Sequence, residues 1–245
     1  LEIYNADEVI TVDEITYKND SVYIKLPVFE GLLIAKIKDQ TLNGRFVVEE
    51  KGREQAFTAY KSQTRFDNTA KADKNITGEW ETVFSPNTEA DKYVAKGIFK
   101  QKENKVTGTF LTETGDYRYL EGVINGDQLQ LSTFDGAHAF LFTGTVTDST
   151  INGQFYSGNH WKEPFIAKRN ANYQLASANN LTYLKDGYDT LAFSFPDADG
   201  KLVSLTDDRF KNKVVVVQIM GTWCPNCLDE SKFYAQYYNA NKDKD

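Results

Sequence analysis

Alternation of apolar and polar residues at period two recurs through the first 170 positions and commits that stretch to β-strands. Ser21-Val22-Tyr23-Ile24-Lys25-Leu26 sets one apolar face against one wet face, and Asp127-Gln128-Leu129-Gln130-Leu131-Ser132 does the same. Asn125-Gly126 stands between that second run and Glu121-Gly122-Val123-Ile124. Asn-Gly is the strongest short hairpin signal, because both residues tolerate positive φ. No 12-residue window here carries a helical stripe with a cap. An antiparallel, barrel-like β domain is expected over residues 1–170.

An internal repeat refines this expectation. Ile37-Lys38-Asp39-Gln40-Thr41-Leu42-Asn43-Gly44-Arg45-Phe46 aligns with Val146-Thr147-Asp148-Ser149-Thr150-Ile151-Asn152-Gly153-Gln154-Phe155, with five of ten positions identical. Glu103-Asn104-Lys105-Val106-Thr107-Gly108-Thr109-Phe110 is a looser third copy. Each reads as a turn and then a strand whose glycine permits close approach and whose phenylalanine enters a core. A meander of related hairpins follows. Gly78-Glu79-Trp80 opens a fresh set of strands after the polar linker Lys71-Ala72-Asp73-Lys74-Asn75. A G-x-W at the start of a long meander resembles lipocalin and avidin-type barrels, where the Trp plugs one end. Residues 1–70 fit either further strands of that barrel or a separate small sheet.

Composition excludes several classes. Of 245 residues, 28 are Lys or Arg and 35 Asp or Glu, a net charge of −7 that disfavours nucleic acid as a main partner. The longest apolar run, Val214 to Met220, falls far short of the ~20 residues needed to cross a bilayer as a helix. The sole methionine is Met220 and the chain opens at Leu1, so a processed or shortened start is expected, with any leader or lipid-attachment cysteine upstream.

Beyond the connector at 171–190 the pattern changes. Phe193-Ser194-Phe195-Pro196-Asp197 leads through the turn Asp199-Gly200 to Lys201-Leu202-Val203-Ser204-Leu205. Val214-Val215-Val216-Val217-Gln218-Ile219-Met220 is a β-branched run without alternation, of the kind buried on both faces of an α/β sheet. Gly221-Thr222-Trp223-Cys224-Pro225-Asn226-Cys227 comes next, with helix expected to about Asn239 and Pro225 near its start.

Cys224 and Cys227 are the only cysteines. A pair this close closes no useful loop, so it is no structural staple. Tetrahedral zinc needs four ligands, and the histidines His138 and His160 lie far away in the β region; no metal site is expected. A thiol at a helix N-terminus is a different matter. The helix end supplies partial positive charge and free N–H groups that favour the thiolate. With i, i+3 spacing the second sulfur reaches the first. Cys224 is then the exposed attacking thiol and Cys227 the resolving one.

These features resemble the TlpA/ResA branch of thioredoxin-like thiol:disulfide oxidoreductases, which includes many two-domain envelope proteins of Bacteroidetes. The resemblance rests on Phe195-Pro196-Asp197, Asp199-Gly200-Lys201, Val203-Ser204-Leu205, the Lys213-Val214-Val215-Val216 run and Trp223-Cys224-Pro225-Asn226-Cys227. It implies the start of an α/β thioredoxin-like fold over 191–245, with Cys224 as nucleophile, Cys227 as resolving thiol and Glu230 as a proton-transfer partner. It also implies that Trp223, Pro225 and Asn226 meet the substrate. Partners would be protein thiols and disulfides, with an upstream membrane reductant. The setting would be the periplasm or cell envelope, with no cofactor beyond the dithiol. Gln218 replaces the buried Asp of thioredoxins proper, and Met220 a usual aromatic. The chain ends 18 residues after Cys227, so a complete fold of this type is expected to continue past Asp245. Residues 191–245 are expected to be poorly ordered in this chain or rescued by packing against the β domain or a second copy, with redox turnover weak compared with a longer protein that completes the fold.

Other readings differ in class. A peroxiredoxin-type thiol peroxidase would place Pro and Thr ahead of its cysteine in P-x-x-x-T-x-x-C, and Pro is absent from that place. The β domain could bind a small apolar ligand or dock a redox partner; an open lumen favours the first and a packed one the second.

Overall fold

The computed structural model of the chain describes residues 1–27, 31–49, 52–221 and 224–242. The period-two stretches form strands. A hairpin of β1 (Glu2–Asn5) and β2 (Glu8–Thr11) comes first. A five-stranded meander follows: β3 (Ile15–Lys18), β4 (Ser21–Lys25), β5 (Leu32–Lys38), β6 (Thr41–Val48) and β7 (Arg53–Tyr60). The described strands of this stretch, β1 to β7, therefore make two sheets of their own and take no place in the barrel wall. Val22, Ile24, Leu26 and Ala35 form their small core with Val12, and Phe46 and Phe134 pack against it. Asn5 ties the hairpin to the barrel: its side chain donates to Phe134 O at 2.9 Å and accepts from Phe134 N at 3.1 Å, as a strand partner would.

The barrel is built from β8 (Gly78–Phe84), β9 (Tyr93–Lys102), β10 (Lys105–Thr112), β12 (Leu120–Asn125), β13 (Gln128–Phe134), β14 (Ala139–Val146), β15 (Thr150–Ser157) and β16 (Trp161–Arg169). The two-residue β11 (Gly115–Asp116) pairs onto β10. Each of the eight pairs antiparallel with its neighbours in chain order, and β16 returns to pair with β8, closing the cylinder. Closure removes the unpaired edges that an open meander would present.

The lumen is packed. Trp80, Phe84, Phe99, Phe110, Phe142 and Phe165 are fully buried, and their rings meet at centroid distances such as 5.0 Å (Phe110–Phe142) and 5.2 Å (Phe99–Phe110). At one end Trp80 Nε1 donates to Ile76 O at 2.9 Å. The Arg169 guanidinium lies 4.4 Å from the indole centroid and donates to Thr77 O and Asn75 O. That end is sealed by stacking and by hydrogen bonds to the entering backbone.

The repeat has a common geometric cause. Its glycines, Gly44, Gly108 and Gly153, pair across the sheet with Phe57, Phe99 and Phe165. In the barrel copies the phenylalanine covers the glycine. A Cβ on Gly108 would stand 2.6 Å from the Phe99 ring, and one on Gly153 would stand 2.5 Å from Phe165. Asn125-Gly126 does mark a hairpin, but Asn125 remains in β12 opposite Gln128, and the two loop residues are Gly126 and Asp127. Of these, Gly126 takes positive φ (66°).

By contact density the chain divides into two units, Leu1–Leu175 with Thr222–Asn226, and Ala176–Gly221 with Cys227–Asp245. In the second, β17 (Ser194–Pro196) and β18 (Leu202–Ser204) make the hairpin expected around Asp199-Gly200, with Gly200 at φ 80°. The helix α1 (Pro225–Asn241) starts at Pro225, where the missing N–H costs no hydrogen bond. Val214–Met220 departs from expectation: it forms no strand, and Val214 and Ile219 are 97% and 94% exposed. A strand needs a neighbour for its N–H and C=O groups, and among the described residues none pairs with this run. No helix of the described residues is long and apolar enough to cross a membrane.

Replacing Gly153 by Ala should lower the urea midpoint with an unchanged slope. Its Cβ would sit 2.3 Å from Thr143 O as well as against Phe165, overpacking that costs about 1–3 kcal/mol. An unchanged midpoint would contradict the packing described.

Candidate functional site

Cys224 immediately precedes α1, and Cys227 lies in its first turn, where i, i+3 spacing brings residues onto one face. The two sulfurs are joined in a disulfide, so the structure shows the oxidised form of the pair. Both cysteines are half-buried in this oxidised state. Pro225 is the buried first residue of the helix and Asn226 a half-buried second. Trp223, expected to meet the substrate, lies outside the described residues.

A polar cluster holds the Cys227 side of the motif. Gln218 Nε2 donates to Cys227 O at 3.1 Å and to Glu230 Oε2 at 3.0 Å. Ser231 Oγ lies 2.7 Å from Cys227 O and 2.9 Å from Gln218 Oε1. Glu230 also accepts from Tyr234 OH at 3.0 Å, and that bond raises the Tyr234 phenol above its ordinary range. Glu230 is thereby connected to the backbone of Cys227 through one amide side chain.

Two of these residues follow from helix spacing. Ser231 sits four after Cys227, the position from which a hydroxyl bonds back to an i−4 carbonyl, and Tyr234 sits four after Glu230. Gln218 was visible in the sequence only as a departure from thioredoxins. Its role as the bridge between Cys227 and Glu230 needs the fold of the chain back onto the helix. Among the described residues no group of three or more His, Cys, Asp or Glu is arranged to hold a metal ion.

A family model described as Redoxin matches residues 185–245, the stretch that contains the cysteine pair, the hairpin and the helix. No curated protein and no solved structure matches the chain. The Redoxin similarity supports a thioredoxin-like redox function for this part of the chain.

After reduction, Cys224 should be alkylated by iodoacetamide faster than Cys227 at pH 7. Lowering a thiol pKa from about 8.5 towards 7 raises its thiolate fraction about tenfold, and Cys224 has the helix N-terminal position. Peptide mass spectrometry of a timed quench reads the two rates. Equal rates, or a faster Cys227, would overturn the assignment of nucleophile.

Proposed function

We propose that the chain carries out thiol–disulfide exchange with protein partners through Cys224 and Cys227. The observation that carries this reading is the disulfide between the residue before α1 and its first turn, within the Redoxin-like stretch. In the reducing direction, the Cys224 thiolate attacks a partner disulfide. One partner sulfur leaves as a thiol and a mixed disulfide forms. Cys227 then attacks Cys224 Sγ, releasing the second partner thiol and restoring the Cys224–Cys227 bond. Two electrons pass from the pair to the partner, and a dithiol reductant returns them.

Glu230 is the proposed proton acceptor for Cys227 in the second step, positioned by the Gln218 bridge. Trp223, Pro225 and Asn226 are proposed to form the surface that receives the partner chain. An envelope location, the TlpA/ResA type and a membrane-borne source of reductant fit the sequence resemblance and belong to this proposal. The β unit is proposed as a docking module, because rings fill the barrel below its mouth.

Reduction of insulin disulfides by dithiothreitol should be accelerated by the protein and return to the uncatalysed rate in Cys224→Ser. Cys227→Ser should accumulate a mixed disulfide with the substrate, seen as a shifted band on a non-reducing gel. Acceleration that survives Cys224→Ser would refute the reading. Peroxide consumption without insulin reduction would move the activity to the thiol-peroxidase class.

A further inference from the structure

On β16, Glu163 faces the same way as Phe165 and Ala167, into the barrel. It is 4% exposed, an acid among inward residues that are otherwise aromatic or aliphatic along that strand. Its carboxylate is held in place. Ser85 Oγ donates to Oε2 at 2.6 Å, and Tyr93 OH donates to Oε1 at 2.8 Å. Tyr93 spends its single proton on that bond, so at the 2.5 Å contact between the two phenols Tyr117 is the donor. Burial, above all, raises both phenols, Tyr117 to about 12, so the chain of protons stays in place across the physiological range. Among the described residues no cation forms an ion pair with Glu163. A buried carboxylate without a counter-ion is costly, and a visiting cation would offset that cost.

The surroundings match such a visitor. Glu163, Tyr93 and Tyr117 line an open cleft at the barrel mouth, together with Phe140, Phe155 and Trp161. Four more acids, Glu89, Asp91, Glu113 and Asp116, share this lining against the two cations Arg53 and Lys92. Lys92 is already paired with Glu89 at 3.6 Å. Burial and the nearby Arg53 lower the His160 imidazole from its ordinary value. His138 turns its Nδ1 to Asp135 at 3.1 Å. The cleft is thus acidic overall and walled by rings.

We infer that the barrel mouth binds a small organic ammonium ion, with its charged head at Glu163 and its apolar body against Tyr117, Phe140 and Trp161. Aromatic faces attract a cation through their quadrupole, and the carboxylate at the base supplies the counter-charge. The packed lumen below leaves the mouth as the place for a ligand. Asn226, between the two cysteines, also lines this cleft and donates to Asp116 Oδ1 at 3.2 Å.

Isothermal titration calorimetry with benzyltrimethylammonium, benzyl alcohol and phenylacetate tests it on the intact chain. The ammonium ion should bind, the alcohol at least tenfold more weakly, and phenylacetate not measurably. Glu163→Gln should weaken the ammonium ion at least tenfold while the neutral alcohol changes less than twofold. Trp161→Ala, at a position 44% exposed and so safe for folding, should weaken it at least threefold. If Glu163→Gln does not fold, the Trp161→Ala result and the charge series decide. Failure of the ammonium ion to bind, equal binding of phenylacetate, or unchanged affinity in either folded variant would overturn the inference.

Discussion

Pairing of β16 with β8 is the constraint on which the first unit depends. Its register sets Phe165 opposite Phe84 and Arg169 opposite Trp80, so the last strand delivers both the ring that fills the middle and the guanidinium that seals one end. The backbone N–H of Ser85 extends this closure by bonding to Pro164 O, which places the Ser85 hydroxyl against Glu163. Without this pairing β8 would lose its second partner and β16 would become an edge. An aromatic core would then face solvent along a hydrogen-bonding template. Closure therefore accounts for core, sealed end and polar mouth together.

Much of this was legible because strands advertise themselves by period two and glycine advertises close approach. Gly44, Gly108 and Gly153 were readable as sites where the chain needs room, although the phenylalanines across from them are visible only in the register. Asn125-Gly126 located a hairpin and missed its centre by one residue, since a single positive φ at Gly126 suffices. Whether residues 1–70 joined the barrel could not be read, because alternation does not say which sheet a strand enters. Glu163 was not legible: Glu163-Pro164-Phe165-Ile166-Ala167 shows no alternation of polar and apolar residues, and that the acid shares the inward face of Phe165 appears only in the strand. Its partners, Ser85 just after β8 and Tyr93 in β9, lie beyond the reach of local patterns.

In the second unit the local signals and the long-range ones separated. The Asp199-Gly200 hairpin and the helix starting at Pro225 depend on nearby residues and form where expected. Val214–Met220 needs flanking strands, and without a pairing partner among the described residues it forms no strand. The disulfide and the contacts of Gln218, Glu230 and Ser231 are nonetheless assembled at the start of the helix, so the redox motif rests on helix geometry more than on a sheet.

Cys224 and Cys227 are proposed to act as one two-electron couple. Equilibration of the protein across dithiothreitol buffers of graded redox ratio, followed by acid quench, alkylation and intact-mass measurement, tests it directly. A single transition is expected, in which species with zero or two alkylated cysteines interconvert, with a tenfold change in their ratio for about 30 mV. A large population carrying one alkylated cysteine, or a pair that stays oxidised under every buffer, would contradict it.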